Sequence, residues 1–553
     1  MIRNSEFRFG QTPHVNIPRS GFKMSKRVKG SFNVGDIIPF YVDSDILPGD
    51  TWKAKQTLVA RLATPIFPTM DDLVIDTYFF AIPYRLCWDN FQKFMGENET
   101  GSWTQTTQYE TPMTKAPAST GWTKGSIGDY MGLPIGIPDI VHSALPIRAY
   151  RLVYNYFFRN QNLIAPVAVL KTDNAGNTNI ASTYQTLFKA SRLPDYLSTC
   201  TPQPMKAPGG NVSLPLGTSA PVVGNGMTIG LTDGTNNFGF GTLNGQTNGI
   251  GKGSLYGANV GTSATADYNP YNKGIGITTD GSKSGMYADL TSATAATIIA
   301  LRTAVQTAKL YERSIHSTLY PDTVYLHFGT VSPDGRQQRP EYLGGRRINV
   351  TYNQVSQTSS TDSTSPQGNV SAFSLTVDSA PVFTKSFTEH TIILGVMVAR
   401  ILRHSYQQNL ERQWTRRNML DYYWPVLSSI GDQPVYNKEI YCQGTTVLNA
   451  DGNPVDDDVF GYQERWSEYK YKTSTVCGEL RSTYTTPLDS WHFGDKYNSL
   501  PVLSQQWIEE NGTFVKRTLA VTSHDDFIFD TVIDFTAYRP MRLVNTPGLM
   551  DHF

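Results

Sequence analysis

The side chains that could catalyse a reaction or bind a metal are scattered along this chain of 553 residues, without the spacing that a site requires. The nine histidines show no H-E-x-x-H sequence, and no G-x-S-x-G sequence surrounds a serine. The glycine-rich sequences GNGMTIG and GKGSLYG miss the dinucleotide-binding spacing, and no G-x-x-x-x-G-K-[ST] sequence occurs. We therefore expect no catalytic residue, no cofactor and no enzymatic activity.

One acidic segment imitates a cation-binding loop. NADGNPVDDDVF (449–460) has oxygen ligands at alternate positions, but Pro454 and Phe460 stand where a calcium loop needs a glycine and a bidentate glutamate. The three consecutive aspartates Asp456 to Asp458 could hold a cation between subunits, although an acidic, solvated turn is the commoner case. We expect no metal site here and leave the aspartate run open.

Charge balance and cysteine usage exclude further classes. The 47 Lys and Arg residues equal the 47 Asp and Glu residues in number, so any contact with a polyanion must be local. Four cysteines lie far apart without a C-x-x-C pair, which argues against a zinc site and a dense disulfide framework. They are Cys87, Cys200, Cys442 and Cys477. We interpret them as reduced thiols of a protein that assembles in the cytoplasm.

Hydropathy and composition indicate a loop-rich β protein. The N-terminal sequence MIRNSEFRFGQTPHVNIPRS lacks the apolar core of a secretory signal, and no run of 18 apolar residues occurs. The 46 glycines, 32 prolines and 30 tyrosines, with only 17% charged residues, favour short strands, many turns and large contact surfaces. We expect a soluble protein that works in an assembly and is not inserted into a membrane.

Basic side chains are concentrated in residues 1–30, where seven cations stand against one acid, Glu6, a local balance of +6. Phe7, Phe9 and Phe22 are interleaved with them, which would allow base stacking or docking against a neighbouring subunit. We predict a basic N-terminal arm that binds single-stranded nucleic acid; a solvated, partly disordered terminus is the alternative. The nucleic-acid-binding candidates are Arg3, Arg8, Arg19, Lys23, Lys26, Arg27 and Lys29.

Runs of β-branched and aromatic residues, separated by Pro, Gly and Asp, predict strands along the whole chain in the pattern of a sandwich. Residues 145–163 have helical periodicity instead, with Pro146 in the first turn, as does SATAATIIALRTAVQTAKLYER. In the first helix, Arg148, Arg151 and Arg159 are expected on a solvated or inter-subunit face rather than in a DNA groove. The predicted strands are 37–42, 52–62, 73–82, 323–331, 390–402, 439–448 and 525–539.

Residues 201–290 differ in composition from the rest of the chain. They contain 19 of the 46 glycines and only eight charged residues, with no Arg and no Glu. Such a segment cannot bury a conventional core of its own. A disordered linker is one interpretation, but MTIGLT, FGFGTL and KGIGITT suggest short strands that find partners.

Aromatic and arginine residues cluster in ERQWTRRNMLDYYWPVL (411–427) and in LDSWHF (488–493). Aromatic side chains and Arg are enriched at the energetic anchors of protein interfaces. We predict subunit contacts there, although each block could equally belong to the core. The interface candidates are Trp414, Arg416, Arg417, Trp424 and Trp491.

Several long blocks, in this order, resemble the major capsid proteins of gokushoviruses, small icosahedral single-stranded DNA phages of the microvirus group. The blocks are PIFPTMDDLVIDTYFFAIPYRLCWDNFQKFMGE, LPIRAYRLVYNYFFRNQNL, RPEYLGG, QTSSTDSTSPQGN and VFGYQERWSEYKYKTSTVCGELRST. The resemblance implies an all-β fold, an eight-stranded antiparallel jelly roll with long loop insertions and a few helices. The division expected is a basic arm (1–30), a capsid domain in two parts (31–200 and 291–553), and an insertion (201–290).

The resemblance also implies a function and partners. It implies sixty copies in a T = 1 shell around a circular single-stranded DNA, assembled in the host cytoplasm, with the insertion trimerising into a spike at each threefold axis and facing the bacterial receptor. A DNA pilot protein and a scaffold are further expected partners. Rival interpretations are a receptor-binding, lectin-like sandwich that forms no closed shell, and a secreted carbohydrate-active enzyme. The enzyme would need a signal peptide and a carboxylate pair, and neither is found.

Overall fold

The computed structural model describes residues 18–98, 107–173, 185–204, 206, short strands between 222 and 288, 298–315, 319–359, 361–363, 366–428 and 430–544. The chain divides into two compact units. The first combines Met1–Lys206 with Glu312–Phe553, and the second is Ala207–Tyr311. The second unit therefore extends beyond the predicted insertion at its C-terminal end, where a helix rather than a glycine-rich segment follows.

Eight long strands build the first unit, and every neighbouring pair is antiparallel. They form two four-stranded sheets, in the orders β1-β8-β3-β6 and β5-β4-β7-β2. The strands are β1 (Ser20–Phe32), β2 (Ile38–Ile46), β3 (Thr51–Leu62), β4 (Leu73–Pro83), β5 (Glu341–Asn349), β6 (Thr376–Ser386), β7 (Thr391–Ile401) and β8 (Phe527–Arg539).

Short strand pairs lie in the long connections. In the first unit they are Met113–Lys115 with Val141–Ser143, Tyr352–Ser356 with Val370–Ser374, Ser405–Tyr406 with Ser474–Thr475, and Asp432–Tyr436 with Val459–Glu464. In the second unit Met286–Ala288 pairs with Val222–Gly224, and Gly230–Thr232 pairs with both Asn237–Gly239 and Gly276–Ile277. The short strands predicted in the glycine-rich segment are thus confirmed.

The described helices are few and mostly short. They are α1 (Tyr84–Cys87), α2 (Phe91–Phe94), α3 (Ile127–Tyr130), α4 (Leu145–Val153), α5 (Ile298–Arg313), α6 (Tyr320–Phe328), α7 (Gln505–Ile508) and α8 (Thr513–Lys516). None of the described helices is long and apolar enough to cross a membrane. With two four-stranded sheets and few helices, the described structure is mostly β, as predicted.

The main core contains side chains from both four-stranded sheets. Along β8 every second residue is buried, and Phe527, Phe529 and Phe535 all enter this core. Phe32 of β1 stacks on Phe527 with ring centroids 5.2 Å apart, and Phe79 of β4 belongs to the same cluster. Burying one such ring contributes about 1.5–3 kcal/mol. The alternation in β8 explains why its strand pattern was readable from the sequence.

The β5-β4-β7-β2 sheet is also covered on its outer face. A second apolar cluster includes Phe80 of β4, Leu394 of β7, and Leu152 and Tyr154 from α4 and the π-helical turn that follows it. All eleven residues of β7 are buried, so that strand reads as a continuous apolar run rather than an alternating one. This sheet thus has no free face along β7.

Two arginines of α4 lie in surroundings that differ from the sequence-based expectation. Arg148 and Arg151 are buried, not solvent-exposed, because they bind backbone carbonyls of adjacent segments. The Arg148 guanidinium donates to the carbonyls of Cys87 (3.1 Å) and Thr172 (3.0 Å), and Arg151 donates to that of Ala168 (2.8 Å). Helical periodicity located the helix but could not reveal the chain that covers its polar face.

Two predicted strands are wrong. Residues 323–331 mostly belong to α6, which has Pro321 in its first turn and ends at Gly329, whose φ of +67° suits a glycine C-cap. Residues 439–448 begin at the last residue of a 3₁₀ turn, Asn437–Glu439, and contain no strand. Conversely, β1, β5 and β6 were not predicted.

Candidate functional site

The predicted basic arm is a strand from Ser20 onward, which corrects the expectation for its second half. Arg3 and Arg8 lie outside the described residues. In β1 the residues Phe22, Met24 and Val28 are half-buried, and Met24 and Val28 pack against the main core. Their period of two is the strand signal that the surrounding basic side chains concealed.

The basic side chains of this segment divide between the two faces of β1. Lys23, Arg27 and Lys29 occupy alternate positions on the exposed face, and Arg19 is exposed just before the strand. Lys26 lies on the other face, with its ammonium group 5.1 Å from the centre of the Tyr41 ring. Three of the predicted nucleic-acid-binding residues therefore share one surface.

Arg27 is paired within the chain. Its Nε donates to Asp530 Oδ1 on β8 at 2.9 Å, and its Nη2 donates to Asp530 Oδ2. This hydrogen-bonded pair raises the pKa of Arg27 and lowers the pKa of Asp530, whose carboxylate Lys29 also stabilises. Arg27 is thus a weaker candidate for a free anion site than Lys23 or Lys29.

The predicted interface block lies on the surface of the first unit. Trp414 is 75% exposed and Trp424 is 42% exposed, so the alternative that these tryptophans belong to the core does not hold. We call the described residues of this segment, 414–428 and 430, the aromatic surface. Its further exposed apolar members are Met419, Leu420, Tyr422, Tyr423, Val426 and Ile430.

Short turns hold the aromatic surface in place. Asp421 accepts hydrogen bonds from the backbone N–H groups of Asn418 and Arg417, both at 2.8 Å, and these bonds lower its pKa. The Trp424 indole N–H donates to the carbonyl of Met419 at 2.9 Å. Local hydrogen bonds therefore fix the turn around Asp421 and the Trp424 ring, which would reduce the entropy lost if a partner bound here.

The remaining interface candidates have different surroundings. Arg416 lies over the Tyr469 ring at 4.4 Å and contacts Glu468 at 3.4 Å, so it is bound within its own chain. Arg417 is exposed. Trp491 is half-buried and stacks on Phe67 at 4.8 Å, with the ring planes 9° apart. Trp491 therefore packs within the chain and is a weaker interface candidate than Trp414.

A buried ionic cluster was missed by the sequence analysis. Arg192 donates to Asp495 at 2.6 Å, and His404 contacts Asp495 at 3.1 Å and Glu510 at 3.0 Å. All four side chains are at most 3% exposed. Burial and Arg192 lower the pKa of His404, but the two carboxylates outweigh them and raise it to about 9. No spacing rule connects these distant positions, and only the fold brings them together.

The aspartate run is engaged within the chain. Asp456 accepts from the backbone N–H groups of Gln443 and Gly444, both at 2.8 Å, and Lys438 contacts Asp457 at 2.7 Å. Asp458 accepts from an asparagine side chain at 2.9 Å. In the described ranges, no group of three or more His, Cys, Asp or Glu side chains could hold a metal ion.

Comparison with known proteins identifies the family. The sequence profile of the capsid protein (F protein) family matches residues 10–549. The chain belongs to this capsid protein family. Capsid protein VP1 of Chlamydia phage 1 is 37% identical over 590 residues, covering 98% of this chain and 97% of that protein. Capsid protein VP1 of Bdellovibrio phage phiMH2K is 38% identical (100% and 99%), and that of Spiroplasma virus 4 is 36% identical (97% and 96%).

These matches confirm the resemblance to gokushovirus capsid proteins that the sequence blocks indicated. The capsid protein is accordingly the major structural subunit of a phage virion.

Proposed function

We propose that this capsid protein forms a T = 1 shell of sixty copies around a circular single-stranded DNA genome. The observation that carries the proposal is the match to phage capsid proteins over nearly the full length of both chains. The strand orders β1-β8-β3-β6 and β5-β4-β7-β2 support an eight-stranded jelly roll as the building block. The role is structural, and the proposal includes no enzymatic step.

A closed shell requires heterologous contacts that close around symmetry axes. The aromatic surface suits such a contact, because it presents Trp414 and Trp424 beside the exposed Arg417, and exposed apolar patches of this kind mark interaction sites. We assign it to a boundary between subunits. Arg416, which lies over the Tyr469 ring, would support that boundary rather than anchor it. Trp491, half-buried against Phe67, is proposed as a secondary contact at a separate place on the subunit.

The second unit and the basic segment, residues 1–30, point to further partners. We assign Ala207–Tyr311 to a surface protrusion that contacts the bacterial host receptor. The basic segment would face the genome, but sixty segments of +6 supply only 360 charges, whereas encoding 553 residues alone takes 1659 nucleotides. Counterions, other basic surfaces or another virion protein must neutralise the rest. A DNA pilot protein and a scaffold belong to this proposal as additional partners.

Electron microscopy and sedimentation of the expressed full-length chain test the proposal. Closed particles of sixty copies at 61.5 kDa each would have a mass of about 3.7 MDa. Such particles are the expected result, with a scaffold protein co-expressed if the chain alone stays unassembled. Small oligomers under both conditions, with binding to host cells retained, would instead support the lectin-like receptor-binding module.

A further inference from the structure

The two four-stranded sheets differ in what covers them. In the β5-β4-β7-β2 sheet, β7 is buried on both faces and α4 packs outside it. In the β1-β8-β3-β6 sheet, the residues that alternate with the core positions are exposed or half-buried, and Val377 of β6 and Ile528 of β8 are among the exposed ones. Within the described part of the chain, this second sheet keeps a broad face free for a partner.

Most charges on that free face are positive. Strand β3 alternates buried Trp52, Ala54 and Leu62 with exposed side chains that include two lysines and an arginine. The pairing of β1 and β3 with β8 places these on the same face as the β1 cations. We call the set the basic sheet face. Its cations are Lys23, Arg27 and Lys29 on β1 and Lys53, Lys55 and Arg61 on β3; its acids are Asp530 and Asp534 on β8.

Six cations against two carboxylates give this face a charge of +4 in a chain whose net charge is zero. Arg27 is compensated by Asp530, and Lys55 lies opposite Asp534 in the strand register. Lys53 and Arg61 lie opposite Thr536 and Ile528, which carry no charge. No described residue forms an ion pair with Lys53, Lys55 or Arg61. The β3 row is therefore the part of the face that is most available to an anion.

The geometry suits an extended chain of phosphates. Neighbouring strands are about 4.8 Å apart, so β1 and β3, on either side of β8, present two cationic rows about 10 Å apart. Along each row, alternate residues such as Lys53 and Lys55 lie about 7 Å apart. Hydroxyl groups of Thr57 and Ser379 line the same face and can donate to phosphate oxygens.

The composition favours a nucleic acid over a protein partner. Lysine and serine are depleted at protein interfaces, whose anchors are aromatic side chains and arginine. The aromatic surface has the composition of an interface anchor, with aromatic side chains and arginine. The basic sheet face is instead rich in lysine and hydroxyl side chains. Phosphate contacts are made by Lys, Arg and hydroxyl side chains without regard to sequence.

We infer that the basic sheet face binds the sugar-phosphate backbone of single-stranded DNA, and that Lys53, Lys55 and Arg61 supply contacts beyond the N-terminal basic segment. The inference rests on the proposed function, since it names the surface that would line the genome side of the shell. The basic sheet face also adds cations to those of the N-terminal basic segment, which are far fewer than the phosphates of the genome.

The test compares two triple variants of the unassembled full-length chain. K53Q/K55Q/R61Q removes the β3 row, and R336Q/K472Q/K496Q removes three exposed cations elsewhere. Binding of a fluorescent oligothymidylate is measured by anisotropy across a salt series. Each lost phosphate contact reduces the slope of log K against log salt by about 0.7, so the first variant should lose about 2 and the control should lose nothing.

The outcomes separate this inference from the proposed function. If K53Q/K55Q/R61Q keeps the wild-type slope while particles still form, the inference is wrong and the shell proposal stands. If both triple variants lose equal slope, binding is non-specific and the inference is again wrong. If K53Q/K55Q/R61Q loses as much affinity for poly-glutamate as for oligothymidylate, the face is assigned to an acidic protein instead. If K53Q/K55Q/R61Q unfolds at a lower temperature than the wild type, two further variants decide. K53R/K55R/R61K keeps the three charges and must keep the wild-type slope, whereas R61Q alone must lower the slope by about 0.7.

Discussion

His404 supplies the charge that balances a fully buried ionic cluster. With Arg192 it provides two cations against Asp495 and Glu510, so the cluster is neutral only while the imidazole is protonated. Tyr497 also donates to Asp495 at 2.6 Å. Removing one partner from a buried ionic pair costs about 3–5 kcal/mol, because the other charge is left without compensation. The cluster therefore joins distant loops strongly but depends on one titratable group.

This dependence predicts that the subunit loses stability in mild alkali. The pKa of His404 is about 9 when folded, above its ordinary value of 6.5. The folded state therefore holds the proton more tightly, and the stabilisation is complete below pH 6.5 and is lost as the pH rises to about 9. The loss is at most about 3 kcal/mol. Urea unfolding of the unassembled chain at pH 6, 7.5 and 9 measures it.

Two histidine variants serve as controls. H524Q changes an exposed histidine and should keep the loss of stability above pH 6.5. H404Q should be less stable at every pH and should show little of that loss, because its side chain cannot titrate. A pH dependence in H404Q as steep as in the wild type would show that another group is responsible.

The sequence revealed the strands whose burial pattern is simple. Strands β2, β3, β4, β7 and β8 were predicted because they are either alternating or continuously apolar. Strand β1 was missed because cations surround its half-buried residues, and β5 contains Gly344 at an irregularity in its pairing with β4. In α6, aromatic and β-branched residues imitated a strand. These failures arise where local composition competes with tertiary contacts.

The same limit applies to the candidate surfaces. Tryptophan and arginine in one block were enough to predict a contact surface around Trp414. Lys53, Lys55 and Arg61 gave no such signal, because alternate cations are common in a half-buried strand. Only the register through β8 shows that they share a face with Lys23.

The aromatic surface predicts a separation between folding and assembly. Trp414→Ala and Trp424→Ala should leave the melting temperature of the unassembled chain nearly unchanged, since both rings are exposed, and should abolish sedimenting particles. Trp52→Ala is the control, because Trp52 is 1% exposed in the main core. Its loss should cost about 3–5 kcal/mol of folding stability. Destabilisation of all three variants alike, measured by urea unfolding, would contradict the assignment to a subunit boundary.

The first unit carries its own cores. The buried apolar clusters of the described chain consist of residues from Met1–Lys206 and Glu312–Phe553, although the second unit interrupts them in sequence. Long insertions add little loop-closure entropy, since each doubling of loop length costs only about 0.6 kcal/mol. A subunit built on two four-stranded sheets can therefore carry a large insertion without losing its fold.

This organisation predicts that the second unit can be removed. A chain in which a Gly/Ser linker replaces Ala207–Tyr311 should still unfold in one cooperative transition, because every residue of the main core remains. A second variant with a linker twice as long controls for strain in the connection. If the unit is a surface protrusion, particles of both variants should still sediment as shells, and electron micrographs should show smoother surfaces. Loss of cooperative unfolding with both linkers would make the insertion part of the core, whereas folded subunits that no longer assemble would place it in a subunit contact.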